Sequence, residues 1–215
     1  VTPNQTRSRL LAKQRELIQG TEAKGTAGGQ KVKAPKKEWL INNLIAAKCL
    51  TGITAFAKVG KTKFLVALAA SLIHQRPFMD NNDWMPATGP HRIILWLTDQ
   101  PAVDTNEYLM AVGLMEPDGT LHPSIIKLYT EEDDLCWDDQ GIDQILSDIT
   151  ANPDATLITD SFYANVQRAY GSDHEPDAAG ALIDLQTLLS QTQTTHVLAF
   201  HSSKETGLTG VNAIR

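Results

Sequence analysis

The sequence predicts an α/β fold in which a mainly parallel β-sheet is flanked by helices. Short apolar runs that favour β-strands alternate with longer segments that have the residue spacing of helices. The strand-like runs are apolar at consecutive positions, as is typical of strands that helices cover on both faces. A Gly-Lys-Thr triplet at residues 60–62 stands between the first long strand and the first helix. This alternation indicates a parallel sheet.

The first half of the globular part predicts two strand–helix units. The globular part is expected to begin near Trp39, after a segment rich in glycine and lysine. The apolar run Leu50–Phe56 predicts a strand, and Thr62–His74 predicts the helix after it. A second strand is predicted over Arg92–Thr98, followed by a helix over Val103–Val112.

The second half continues the pattern with three strands and two helices. Strands are predicted over Ile125–Thr130, Ala155–Asp160 and His196–His201. Helices are predicted over Gln140–Ile149 and Asp177–Gln191, where apolar residues recur on one face. Because a domain of this class normally adds further strands, we expect that its C-terminal part is missing from this sequence.

Residues 1–37 are predicted to form a basic helix and a flexible linker ahead of a core over residues 38–215. Arg7–Ile18 can form the helix, and the glycine-rich residues 20–37 read as the linker. Residues 1–48 hold 10 Lys and Arg against 3 Asp and Glu, whereas residues 49–215 hold 9 against 22. The acidic main body argues against a broad nucleic-acid-binding face. The basic arm is either a solvated linker or a polyanion-binding segment.

Cysteine usage and hydropathy suggest a cellular compartment. Cys49 and Cys136 are far apart and fit no metal-ligand spacing, which indicates a reducing environment. The longest apolar runs are too short to cross a bilayer. We therefore expect a cytoplasmic protein with no membrane partner.

The strand–loop–helix around the Gly-Lys-Thr triplet has the setting of a phosphate-binding loop. Backbone N–H groups at the start of a helix bind phosphate, a lysine reaches the outer phosphates, and a following hydroxyl holds Mg²⁺. The alternative is an ordinary Gly-Lys-Thr turn. The candidate nucleotide-binding residues are Ala55, Phe56, Ala57, Lys58, Val59, Gly60, Lys61, Thr62 and Lys63.

Two aspartates end predicted strands at the edge where a ligand would bind. Asp160 could hold Mg²⁺ together with Thr62, or it could be a capping or turn residue. Asp99 could orient the attacking water, or it could be a turn residue before Pro101.

Three further polar residues stand near the same predicted edge. His201 ends the last predicted strand and could sense the γ-phosphate, or it could be an ordinary hydrogen-bonded histidine. Lys204 and Arg215 could act in trans on a neighbour's nucleotide, as arginine fingers do, or could be surface charges.

Six segments resemble the RecA-like AAA family of P-loop ATPases, a group related to the plasmid RepA-like hexameric helicases. They cover residues 38–215 in the family's order and spacing. In chain order they are Trp39-Leu40-Ile41, LTGITAFAKVGKT at 50–62, IILWLTDQP at 93–101, TLITDSFYA at 156–164, SDHEPDAAG at 172–180 and VLAFHSSK at 197–204.

The resemblance implies ATP and Mg²⁺ as cofactors, with Asp160 as the Walker B acid and His201 as the sensor. It also implies a ring, usually hexameric, with ATP at the subunit interfaces. Single-stranded DNA would be gripped by pore loops, which by position are Tyr163–Glu175 and Glu205–Asn212. The family usually has glutamate where Asp99 stands. It has Gly and usually Pro at the positions of the two alanines in the loop.

Two functions remain open at this point. The first is an ATPase motor on single-stranded DNA in plasmid- or phage-type replication. The second is a slow ATP-dependent switch or assembly module, which the shorter side chain of Asp99 and the sparse basic residues favour. A kinase on a P-loop scaffold is less favoured, because few arginines are present for a lid.

Overall fold

The computed structural model describes residues 36–56, 58–171, 180–183, 185–187 and 192–201. The strands are β1 (Trp39–Ile41), β2 (Ile45–Ala46), β3 (Leu50–Ala55), β4 (Arg92–Leu97), β5 (Ile125–Thr130), β6 (Ala155–Asp160) and β7 (Thr195–His201). The helices are α1 (Lys61–His74), α2 (Ala102–Ala111), α3 (Asp139–Ala151) and α4 (Phe162–Tyr170), with short 3₁₀ turns at Phe78–Asp80 and Glu131–Asp133. Residues 180–183 and 185–187 are also helical.

The central sheet has five strands in the order β3-β7-β6-β4-β5. Every neighbouring pair in it is parallel, so all the carboxyl ends of the strands lie at one edge. β7 is the last described strand in the chain, yet it lies between β3 and β6. β1 and β2 form a separate antiparallel hairpin.

The sheet is covered on both faces, and β4 shows how. Its residues Ile93, Leu95 and Leu97 face a core shared with α1, α2 and the β1–β2 hairpin. Ile94 and Trp96 face a second core shared with α3 and α4. Because successive side chains of a strand point to opposite faces, one apolar run supplies both cores. The predicted α/β fold is therefore confirmed.

The observed boundaries of the predicted strands and of the first three helices agree with the predicted ones to within two residues. The β1–β2 hairpin was not predicted, because two- and three-residue strands leave no periodic signal. The predicted helix Asp177–Gln191 is described only in part, and it is helical there. The predicted helix Arg7–Ile18 lies outside the described residues.

The expectation that Tyr163–Glu175 is a loop is wrong for its first eight residues. Tyr163–Tyr170 lies within α4. The helix begins because Ser161 caps it, its Oγ accepting a hydrogen bond from the Ala164 N–H at 3.3 Å. It ends because Gly171 takes a left-handed conformation with φ of 71°.

Candidate functional site

A cleft of about 490 Å³ opens where β3, β4 and β6 end. Ligands of parallel α/β sheets bind outside the carboxyl ends of the strands. Ten residues line this cleft: Lys58, Val59, Gly60, Lys61, Thr62, Lys63, Asp99, Gln100, Tyr108 and Asp160. The cleft thus brings together most of the predicted loop and both predicted carboxylates.

The loop between β3 and α1 reverses the chain through left-handed backbone positions. Lys58 has φ of 63° and Gly60 has φ of 91°. Gly60 is the N-cap of α1, and its carbonyl accepts the first helical hydrogen bond from the Phe64 N–H at 3.0 Å. The N–H groups of the first helical turn lack intrahelical partners and carry the positive end of the helix dipole. The loop therefore has the backbone geometry of turns that bind anions, and it lies at the wall of the cleft.

Lys61 is the first residue of α1, and it lies largely buried in the cleft wall. Its ammonium donates a hydrogen bond to the Phe56 carbonyl at 3.1 Å and so bridges the two ends of the loop. Phe56 and Val59 expose half or more of their surface. The cation of Lys61 thus lies against the loop, in the lining of the cleft.

Thr62 and Asp160 meet across the cleft. The Thr62 hydroxyl donates a hydrogen bond to Asp160 Oδ2, and both side chains are buried. Asp160 is the last residue of β6, and its partner comes from the first turn of α1. This contact joins the first turn of α1 to the end of β6, where the predicted metal-binding carboxylate of Asp160 lies.

Asp99 follows β4 directly and lines the same cleft. The Thr98 and Asp99 N–H groups both donate to the Asp160 carbonyl, at 3.0 and 3.2 Å. These bonds place the main chain of Asp99 next to the end of β6, in line with the pairing of β4 with β6.

Two residues of the cleft were not predicted from the sequence. Gln100 follows Asp99, and Tyr108 reaches the cleft from α2. The Lys63 ammonium lies 4.9 Å from the centre of the Tyr108 ring, a cation–π distance. No local pattern links Lys63 with Tyr108, since 45 positions separate them in the sequence.

His201 is described by its backbone alone. It ends β7 and pairs with Ala55, so it lies at the same edge of the sheet as the cleft. Ala57, Lys204, Arg215 and the second predicted pore loop, Glu205–Asn212, lie outside the described residues.

Cys136 and Tyr129, whose pKa values are raised, are not among the residues that line the cleft. Burial raises the pKa of Cys136 to about 11, so its thiol stays protonated at neutral pH. Burial, and a hydrogen bond donated to the Asp148 carboxylate, raise the pKa of Tyr129 far above its ordinary value. Among the described residues, no group of three or more His, Cys, Asp and Glu side chains is arranged to hold a metal ion.

The residues that line the cleft fit a nucleoside triphosphate with Mg²⁺. Its three lysines outnumber its two aspartates, which leaves a net positive formal charge for a polyphosphate. The paired hydroxyl of Thr62 and carboxylate of Asp160 are the oxygen ligands that Mg²⁺ prefers. The residues present therefore match both parts of the ligand.

Comparison with known proteins gives a family and a structural neighbour. A family described as AAA domain matches residues 19–207. A solved structure of a prototypical ATPase from the type III secretion system of pathogenic bacteria aligns with a TM-score of 0.49 at 14% identity. That alignment covers 79% of this chain and 49% of the other, so this chain spans about half the length of that protein.

No curated protein matched the chain. Within the described part of the chain, none of the helices combines the length and the apolar character needed to cross a membrane. The family match covers most of the sequence, and the cleft carries the residues of a phosphate-binding loop. The chain belongs to the AAA domain family of P-loop ATPases.

Proposed function

We propose that this chain binds Mg·ATP in the cleft and hydrolyses it. One observation carries the proposal. Lys61 and Thr62 begin a helix at the carboxyl edge of a parallel sheet, and the Thr62 hydroxyl contacts the buried carboxylate of Asp160. This arrangement serves the binding of phosphate and of a divalent cation in one place.

Each residue of the cleft has a distinct role in this proposal. The amides of the loop and the Lys61 ammonium bind the phosphates, while Thr62 and Asp160 hold the metal. When bound, Mg²⁺ neutralises charge that develops on the phosphate oxygens. Asp99 orients a water molecule and accepts its proton as the water oxygen attacks the γ-phosphorus. The bond to the β–γ bridging oxygen breaks, which leaves ADP and phosphate.

The test measures binding and hydrolysis of Mg·ATP in Lys61→Met, which keeps the side-chain stem and removes the charge. Charge-assisted contacts of this kind contribute about 1.5–3 kcal/mol, so affinity should fall about 10- to 150-fold. Lys127→Met is the matched control, because Lys127 is exposed on β5, outside the cleft. Unchanged affinity in Lys61→Met would contradict the assignment of the site.

For the use of ATP we propose a motor on single-stranded DNA, in a ring related to the RepA-like helicases. Support comes from the resemblance of six sequence segments to that family. In such a ring Lys204 or Arg215 would reach the neighbour's nucleotide, and His201 would sense its γ-phosphate. Light scattering should then detect a ring, and single-stranded DNA should stimulate hydrolysis. A monomer with no stimulation by DNA would count against the motor.

A slow switch or assembly module is the second candidate, and one contact favours it. Arg168, the basic residue of α4 within the expected DNA-binding segment, forms an ion pair with Asp134 at 2.8 Å. The guanidinium of Arg168 is therefore already paired with a carboxylate, although a DNA-binding loop would need its charge for the phosphates of DNA. The side chain of Asp99 is also one methylene shorter than the glutamate that usually stands there in the family that the sequence resembles. A switch predicts slow turnover that is independent of DNA, whereas fast turnover that collapses in Asp99→Asn would support the motor.

A further inference from the structure

A buried polar network lies directly behind the two carboxylates of the cleft, and its centre is Asn165 on α4. Asn165 is completely buried, as is Ser161 at the start of the same helix. The Thr98 hydroxyl donates to Asn165 Oδ1 at 2.7 Å. Asn165 Nδ2 donates to the Ser161 carbonyl at 3.0 Å. One amide group therefore contacts both the residue before Asp99 and the residue after Asp160.

The backbone of Asn165 is held as firmly as its side chain. Its N–H donates to the Ser161 carbonyl at 3.3 Å, and its own carbonyl accepts from the Trp137 N–H at 3.2 Å. Because these partners lie on different segments, Asn165 has little freedom to follow a displaced strand. Buried networks in which each member has a partner fix one geometry more strongly than exposed ones.

We propose that Asn165 is a positioning residue that fixes Asp99 relative to Asp160 through Thr98 and Ser161. The inference rests on the proposed ATP hydrolysis and adds the residue that sets its geometry. Asp99 follows β4 without a helix of its own to orient it, since α2 begins only at Ala102. The hydroxyl of Thr98 is the side-chain contact that ties this strand end to α4. Small displacements of a reacting group lower catalytic rates strongly.

A purely structural role for the network makes a different prediction. If the hydrogen bonds only stabilise the fold, removing one should lower thermal stability and leave the kcat of the folded protein unchanged. If they position Asp99, the loss should fall on kcat. Nucleotide affinity should change little, because the described hydrogen bond of the Lys61 ammonium goes to the Phe56 carbonyl in the loop, not to Thr98 or Asn165.

The experiment compares Thr98→Val with Thr105→Val in the full chain. The two substitutions are identical, and both positions are buried. Thr105 Oγ1 finds no hydrogen-bond partner among the residues that the structure describes, so it is the matched control. Thr98→Ser keeps the hydroxyl and serves as the rescue. Thr98→Ala removes the hydroxyl in a smaller side chain and provides a second variant. For each protein, kcat, KM for Mg·ATP and the melting temperature are measured.

We expect Thr98→Val and Thr98→Ala to lower kcat about 10- to 100-fold, as loss of outer-shell partners does, with KM nearly unchanged. Thr98→Ser and Thr105→Val should keep kcat close to that of the unmodified chain. The proposal is overturned if Thr98→Val has the kcat of Thr105→Val, or if KM rises in step with the loss of kcat. An unmodified chain that does not hydrolyse ATP would overturn both proposals, whereas full kcat in Thr98→Val overturns only this one.

Discussion

His196 should make the stability of this protein depend on pH in a defined interval. The residue lies in β7, between β3 and β6, and its side chain is completely buried. Nε2 lies 2.7 Å from Thr194 Oγ1, while Nδ1 finds no hydrogen-bond partner within the described residues. Burial disfavours the charged imidazolium and lowers the pKa of His196 to about 4, from an ordinary value of 6.5.

The sign and the size of the effect follow from this lowered pKa. Between pH 6.5 and about 4 the unfolded chain binds a proton at His196 and the folded chain does not, so stability falls as the pH falls. Each pH unit in that interval contributes about 1.4 kcal/mol. The loss should reach about 2 kcal/mol at pH 5 and about 3 kcal/mol near pH 4. Above pH 6.5 both states hold a neutral ring, and the contribution to the pH dependence vanishes.

Urea unfolding between pH 7.5 and pH 5 measures this effect as a difference between the unmodified chain and His196→Leu. The variant lacks the titrating ring, so its stability should fall by about 2 kcal/mol less over the interval. Thr194→Val is the control, because it removes the hydrogen-bond partner and leaves the burial of the ring in place. Parallel pH curves for the unmodified chain and His196→Leu would refute the reasoning.

Three further predictions concern Gly60 and Asp99 at the cleft and Gly141 in α3. Gly60→Ala should lower stability by about 1–2 kcal/mol in urea unfolding, because alanine disfavours a φ of 91°; an unchanged midpoint would contradict this. In steady-state measurements of ATP hydrolysis, Asp99→Asn should lower kcat about 100-fold, while Asp99→Glu should retain or raise kcat. Equal losses of kcat in the two variants would argue against a carboxylate that orients the water. Gly141→Ala should destabilise α3 strongly, because the new Cβ would lie 1.9 Å from the Cys136 carbonyl oxygen. A melting temperature equal to that of the unmodified chain would show that the carbonyl can move.

The layers of the fold could be predicted because the strands are apolar at consecutive positions. A run such as residues 92–97 has no polar alternation, so it must be covered on both faces. The meeting of Asp99, Asp160 and the phosphate loop also follows, since parallel strands bring their carboxyl ends to one edge. The roles assigned to these residues remain predictions.

The rest of the site depends on tertiary contacts that leave no local pattern. Tyr108 reaches the cleft only because α2 packs beside α1. The proposed role of Asn165 depends on its hydrogen bond with Thr98, which is 67 positions away in the sequence. α4 could have been found from its ends, because Ser161 and Gly171 are residues that favour helix caps. The position of β7 between β3 and β6 is a matter of topology, which residue periodicity does not encode.

That interior position of β7 has a consequence for how the protein is made. With neighbouring strands about 4.8 Å apart, one intervening strand holds the ends of β3 and β6 about 9–10 Å from each other. During synthesis, a nascent chain that has emerged only as far as residue 194 already contains Lys61, Asp99 and Asp160. It lacks β7, the strand that separates the ends of β3 and β6. The cleft can therefore reach this spacing only after residues 195–201 have been synthesised.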